Sequence, residues 1–269
     1  DQDNILDVSQ ALTANSDCDS TSENNALCES DFALSFINTI TQDNTATGDD
    51  FAQILQGNDA TFAQNIGLLN SCDESGAGII DPDASCQNDQ NENFIGLVAQ
   101  SNTAADAAEI DTVTQSNIMD VTQDLSATND CNEANTGDNL PECTNINSEN
   151  DIDSIFQTND ANLVGDDTVQ TNFLAVTQDV QLQNTCDETG IGDITALCDY
   201  DITFTNADEN NKIGPIDQSN SVVGSGDADF TQNNNIPSIN QIVVAGNDCD
   251  QTDQQTAQGS NDAVCSNDD

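Results

Sequence analysis

Ten cysteines, 50 acidic residues and a regular series of Gln and Asn are the side chains whose types could do chemistry. The cysteines fall in pairs: Cys18/Cys28, Cys72/Cys86, Cys131/Cys143, Cys186/Cys198 and Cys249/Cys265. No CxxC spacing occurs, so a metal or dithiol redox site has no motif to rest on. An even number of widely spaced cysteines points to disulfides and an oxidising compartment. Pairing within each copy is expected, because each copy is complete by itself; pairing between neighbouring copies is the rival. The enclosed loops, 9 to 15 residues long, are acidic, small and polar. Closing one stabilises by roughly 3 kcal/mol if the effect is entropic.

The carboxylates invite cation chemistry. Asp49 and Asp50, Asp166 and Asp167, Asp227 and Asp229, and the DPD of residues 81–83 all sit at turn signals. Calcium needs several oxygen ligands from one defined loop, and neither an EF-hand loop nor a calcium-binding nonapeptide is present. Solvated turns with loosely bound divalent cations are the simpler expectation, and no cofactor is expected. There is no His, and Lys212 is the one basic side chain. The usual general base and most oxyanion-stabilising groups are therefore missing, and with so many carboxylates no single pair stands out. The expectation is a protein that is not an enzyme.

The formal net charge is −49. Nucleic acid and anionic membranes would be repelled by such a surface, and no apolar run is long enough for membrane insertion. The chain starts at Asp1 without a charged, apolar leader, which reads as a mature secreted chain, extracellular or at the cell surface. Hydrophobic residues make up 35% and aromatic residues 4%, with no Trp. A thick core cannot be filled from that composition; the chain must stay disordered or fold thin, with a narrow core repeated many times.

Periodicity decides between those two. First cysteines recur every 54, 59, 55 and 63 residues. Two Gln precede each of them at steps of eight or nine residues: Gln2/Gln10, Gln56/Gln64, Gln115/Gln123, Gln170/Gln178 and Gln232/Gln241. The extra residue of the fifth series lies beside Pro237, where a bulge is expected. An Asn follows the first Gln two residues later, at Asn4, Asn58, Asn117, Asn172 and Asn234; this is arm b. Further upstream lies a similar arm a: Gln42/Asn44, Gln100/Asn102, Gln157/Asn159 and Gln218/Asn220. Disorder does not explain such spacing. It marks one repeat domain over 1–269, with repeats at about 29–86, 87–143, 144–198 and 199–269 and a partial one at 1–28.

Parity sets the local structure. In an extended chain Gln170, Asn172, Leu174, Val176, Gln178, Val180, Leu182 and Asn184 share one face, and mostly polar residues share the other. Period two over that length means β-strand. Buried amides are costly alone, but identical amides stacked at the strand spacing of about 4.8 Å satisfy one another. The expected fold is all-β, a parallel β-solenoid-like stack of about five disulfide-bearing repeats with Gln/Asn ladders inside. The likeness of the two arms, only 13 to 15 residues apart and so too close for a wide coil, points to two stacked layers per repeat; one large turn per repeat is the rival.

Arm b reads Asn58-x-Ala60-x-x-x-Gln64 behind Gln56, and the Asn-x5-Gln spacing recurs at Asn4/Gln10, Asn117/Gln123 and Asn172/Gln178. This resembles the repeat of curlin, the subunit of curli fibres. The resemblance covers the arms; the repeats here are longer and are interrupted by cysteine loops. It implies secretion, in-register parallel stacking, self-assembly and a role in a biofilm matrix. Both chain ends look like stacking surfaces, so a head-to-tail homopolymer is expected, with the chain itself as partner. The alternatives are a calcium-dependent adhesin or surface-layer protein, and an ice-binding solenoid using outward Thr such as Thr114, Thr122, Thr128, Thr171, Thr177 and Thr185.

Overall fold

A computed structural model describes residues 1–20, 26–30, 33–48, 53–76, 84–106, 112–135, 142–162, 167–190, 194–201, 211–223, 229–253 and 261–268. Among them all regular structure is strand, arranged in two parallel sheets. The first sheet stacks β1 (Gln2–Ser20), β5 (Gln53–Gly76), β7 (Thr112–Asn135), β9 (Asp167–Gly190) and β13 (Phe230–Asp253) in that order. The second stacks, layer by layer, β2 (Ala26–Ser30) with β3 (Ala33–Ile37) and β4 (Ile40–Gly48), then β6 (Ala84–Asp106) and β8 (Glu142–Asn162). Above them lie β10 (Ile194–Asp201), β11 (Asn211–Ile213) and β12 (Ile216–Val223), and finally β14 (Asn261–Asp268).

One repeat is thus one turn of a flattened solenoid. The chain runs along the first sheet through arm b to its first cysteine, crosses, and returns along the second sheet from its second cysteine through arm a. Arms a and b are not successive layers of one sheet; they face each other across the core, as the Asn44–Asn58 hydrogen bond of 3.1 Å shows. The 13 to 15 residues between corresponding positions of the arms are enough because most of them belong to the facing strands, as on β4 up to Gly48 and on β5 from Gln53; the end of the coil where arm a leads into arm b is the arch end. The long return path lies on the cysteine side.

The interior strands of the first sheet, β5, β7 and β9, read as unbroken alternations. On β5 Ile54, Gln56, Asn58, Ala60, Phe62, Gln64, Ile66, Leu68, Asn70 and Cys72 are buried, while their neighbours are exposed or partly so. At about 3.3 Å per residue, a strand of 24 residues spans roughly 80 Å. Along that length the core alternates. From the arch outward come small aliphatics around Ile54 and Val113, then a Gln/Asn belt, then the largest apolar cluster around Phe62, Ile95, Met119 and Ile152. A second amide belt, the Ile66/Leu125/Val180 cluster, a third amide belt and the cystines complete it. Few large side chains are needed because each layer contributes only one or two per cluster.

Registers keep like over like: Gln2, Gln56, Gln115, Gln170 and Gln232 form one column, and Cys18, Cys72, Cys131, Cys186 and Cys249 another. In β13 the register slips by one residue between Asn235 and Ser238, at Pro237. Proline has no N–H to give to a ladder, so the chain bulges there.

The second sheet has a feature that simple alternation does not predict. Ile95 and Val98 are both fully buried although three residues apart, as are Ile152 and Ile155. Ile37/Ile40 and Ile213/Ile216 stand at the same places in the layers on either side. Each of these four layers therefore bends once and exchanges its inward and outward parity. The bend keeps its bonds between layers, with Gly214 N–H donating to Ile152 O at 2.7 Å and Ile155 N–H to Pro215 O at 3.0 Å. At Gly214 an added Cβ would run into the Asp153 carbonyl, which explains the glycine.

Disulfides Cys18–Cys28, Cys72–Cys86 and Cys131–Cys143 tie the two sheets together within one coil, with Cα–Cα distances of 5.8, 6.1 and 6.2 Å. Backbone register sets Cys186 on Cys131 and Cys198 on Cys143, and likewise Cys249 on Cys186 and Cys265 on Cys198. The side chains of these last four lie outside the described ones. A non-reduced digest with an Asp- or Glu-directed protease should recover all five pairs as local linkages, Cys186–Cys198 and Cys249–Cys265 included. A peptide linking two different coils would contradict the layer-by-layer closure.

Candidate functional site: amide columns and their open edges

Gln side chains of the first sheet form two columns. Gln56 Nε2 donates to Gln2 Oε1 at 3.1 Å, Gln115 to Gln56 at 2.9 Å, Gln170 to Gln115 at 2.8 Å and Gln232 to Gln170 at 2.8 Å. Gln64, Gln123, Gln178 and Gln241 each donate to the Gln one layer earlier, beginning at Gln10, over 2.7 to 3.2 Å. The second sheet repeats the device with Gln100 to Gln42, Gln157 to Gln100 and Gln218 to Gln157.

The Asn side chains build something tighter. Asn4, Asn44, Asn58, Asn102, Asn117, Asn159, Asn172, Asn220 and Asn234 form a zigzag that climbs the solenoid in chain order. From Asn4 to Asn172 each gives its Nδ2 to the Oδ1 of the next Asn on the facing sheet and to that of the Asn one layer later on its own sheet, and Asn220 gives its own to Asn234. For Asn58 those partners are Asn102 at 3.1 Å and Asn117 at 3.0 Å; for Asn117 they are Asn159 at 3.1 Å and Asn172 at 2.9 Å.

Each interior amide also reaches the opposite backbone. Gln115 donates to Asp160 O, Gln157 to Phe173 O, Asn58 to Ser101 O and Asn159 to Thr171 O, at 2.9 to 3.1 Å. A carbonyl only accepts, so these bonds fix which end of each carboxamide is nitrogen. Two consequences follow. The columns cross-link the sheets as well as the layers, and their directions are opposed: Gln columns donate toward the N-terminal layers, Asn columns toward the C-terminal layers.

Two further Asn sets join the interior. Asn93 donates to Asn150 at 2.9 Å and Asn150 to Asn211 at 3.0 Å. Asn70 donates to Asn88 and to Asn129, and Asn129 to Asn184. Parity reasoning on the first sheet places Asn184 inward and, by register, Asn70 and Asn129. The Asn93 column escaped it because the bend at Ile95-x-x-Val98 reverses parity between it and arm a. The repeated Ile-x-x-Ile/Val was the signal that could have revealed it. Ser35 occupies the first layer of that column and spends its hydroxyl on Gln10 Oε1 at 2.9 Å, and Asn93 Oδ1 is left as a buried acceptor without a partner among the described residues.

The outer faces are acidic and irregular. Thr122 stacks on Thr177, but Thr114 stacks on Val169, Thr128 on Gln183, Thr171 on Ser116 and Thr185 on Asp130, so no continuous Thr column forms. Asp49, Asp50, Asp166 and Asp227 lie outside the described residues. Asp167 Oδ1 accepts the backbone N–H of Asp229 at 3.2 Å. Lys212 pairs with Asp151 at 3.6 Å. Burial raises the carboxyls of Glu92, Asp124 and Asp151 above their ordinary values, reinforced by Asp151 beside Glu92 and by Asp179 beside Asp124, while Lys212 partly offsets the effect on Asp151.

These geometries lead to two expected outcomes. Gln115→Ala removes a fully buried link, orphans Gln56 Oε1 and empties space, at a cost of about 2–5 kcal/mol. Gln181→Ala loses one exposed bond to Asp179 and should lie within about 0.5 kcal/mol of the parent; thermal melting of the two variants measures the difference. For pH, a carboxyl raised in the folded state stabilises the fold when protonated. That contribution is complete below the unfolded pKa and is lost as pH rises through the folded one. The melting temperature should therefore climb as pH falls from neutrality toward about 4, and Asp124→Asn should flatten part of that climb.

No protein-family model, no curated protein and no solved structure matches this chain, so the site is read from its own geometry.

Proposed function

We propose that this protein is the structural subunit of an extracellular filament, or of a cell-surface or biofilm-matrix fibre, that assembles head-to-tail by β stacking. It does mechanical rather than chemical work, and its partner is itself. The observation that supports this reading is that the amide columns run through every layer of the first sheet to β1 and β13, which each pair on one side only. An amide column is satisfied everywhere except at its ends. Strand edges bearing unpaired backbone groups and half-used amides are templates for another strand of the same spacing. A contact between two different edges does not close on itself, so it builds a fibre. Intra-repeat disulfides suit a subunit that must survive outside the cell, and they are consistent with the curlin-like reading of the arms.

The charge of −49 opposes association, so salt or divalent cations should promote it by screening. In raised salt with calcium the protein should form unbranched fibres by electron microscopy, with an axial reflection near about 4.8 Å. A protein that stays monodisperse by light scattering under those conditions would sink this reading. A solitary chain unfolded by chelator would then favour a calcium-dependent adhesin or surface-layer protein, and thermal hysteresis an ice-binding one.

A further inference from the structure

The two outer strands of the first sheet are chemically unlike. β1 carries Asp3, Asp7, Asp17 and Asp19. Interior strands carry outward acids too, among them Asp59, Asp120, Asp124 and Asp179. On β13, residues 230–247 contain no Asp, Glu, Lys or Arg, in a chain whose net charge is −49. An edge strand that must stay unpaired is ordinarily short, charged or broken by proline. β13 has 24 residues, and Pro237 only shifts its register by one. Its Ile239 and Val243 are 46% and 41% exposed, whereas Val176 and Val180, their partners on β9, are fully buried. Charge is thus kept off the central stretch of one edge strand and appears on it only from Asp248 onward.

The amide directions point the same way. On β13, Gln232 and Gln241 spend Nε2 on Gln170 and Gln178, which turns Oε1 toward the open side. Asn234 Oδ1 already accepts from Asn172 and Asn220, and Nδ2 is left to serve the open side together with Gln218 O. On β1 the arrangement is inverted. Gln2 and Gln10 accept through Oε1 from Gln56 and Gln64, leaving Nε2 toward the open side, and Asn4 donates inward to Asn44 and Asn58, leaving Oδ1 outward. Donors on β1 therefore match acceptors on β13 and the reverse. Two β1 edges, or two β13 edges, would set like against like.

We infer that β13 is the landing strand for β1 of a second copy, parallel and in one register: Gln2 on Gln232, Asn4 on Asn234 and Gln10 on Gln241. This rests on the filament reading and specifies its junction and polarity. The bulge at Pro237 is absorbed as it is against β9, where an unbulged strand already pairs with it. Outward, Asp3 then meets Asn233, Asp7 meets Ser238 and Ser9 meets Asn240, so no carboxylate of the central stretch faces another. Like charges meet only beside the cysteines, Asp17 on Asp248 and Asp19 on Asp250, and that is where cations are needed.

The test places one amine on the landing strand. Asn233→Lys, treated with a water-soluble carbodiimide under assembling conditions, should form an amide to Asp3 of another molecule, read by mass spectrometry of the cross-linked peptides. Its in-register neighbour on β9 is Thr171, which cannot react in this way. The double variant Asn233→Asp/Ser238→Asp should melt like the parent, because both sites are exposed, and should lose elongation. Fibres whose cross-link maps to another carboxylate, or a doubly charged variant that elongates normally, overturn the junction and leave the filament reading standing. Absence of fibres from the unmodified protein overturns both.

Discussion

A primary amide has two N–H donors and an oxygen with two lone pairs, and burying it is tolerable only if nearly all of these are used. The interior of this protein meets that demand by repetition. In the Gln columns one N–H runs along the column to the neighbouring layer, the other crosses to the backbone of the opposite sheet, and the oxygen accepts from the layer on the other side; in the Asn zigzag the two N–H groups are shared among the facing Asn, the Asn of the next layer and the opposite backbone. The arrangement works only if each layer puts the same residue at the same height. Parallel, in-register stacking is therefore a requirement of the core rather than one choice among several, and a slip of one residue would turn the whole amide set to the outside.

Much else in the chain follows from that requirement. A polar, narrow core needs few large side chains, which is why an all-β protein of this length manages without Trp. Apolar clusters and amide belts alternate along each strand, so both the hydrophobic effect and the hydrogen bonds act on every layer. The three described cystines close the end of the coil farthest from the arch. Charge is confined to outward positions and loops. Even there, central columns mostly alternate acids with neutral residues, as in Asp7, Thr61, Asp120 and Ala175.

Opposed Gln and Asn directions have an electrostatic result. Columns of parallel amide dipoles would add along the fibre axis if all pointed one way, as peptide dipoles do in a helix. Running the Gln and Asn columns against each other lets these dipoles cancel in part, while the two ends of the stack remain distinguishable atom by atom.

The sequence by itself determined the repeat, the strand periodicity, the inward face of arms a and b, the bulge at Pro237 and the local cysteine pairing now seen in three coils. All of these are properties of one strand or of one residue type recurring at a set distance, and spacing reports them directly. Only the tertiary structure decided that one repeat makes a single coil, that the arms face each other, and that the second sheet bends at Ile95-x-x-Val98 and its equivalents. It alone revealed the Asn93 column, the zigzag of Asn across the two sheets and the opposed directions of the columns. These depend on which element lies opposite which. Residues far apart in the chain meet there through backbone carbonyls that carry no sequence signature, and a parity count made along one strand has no access to them.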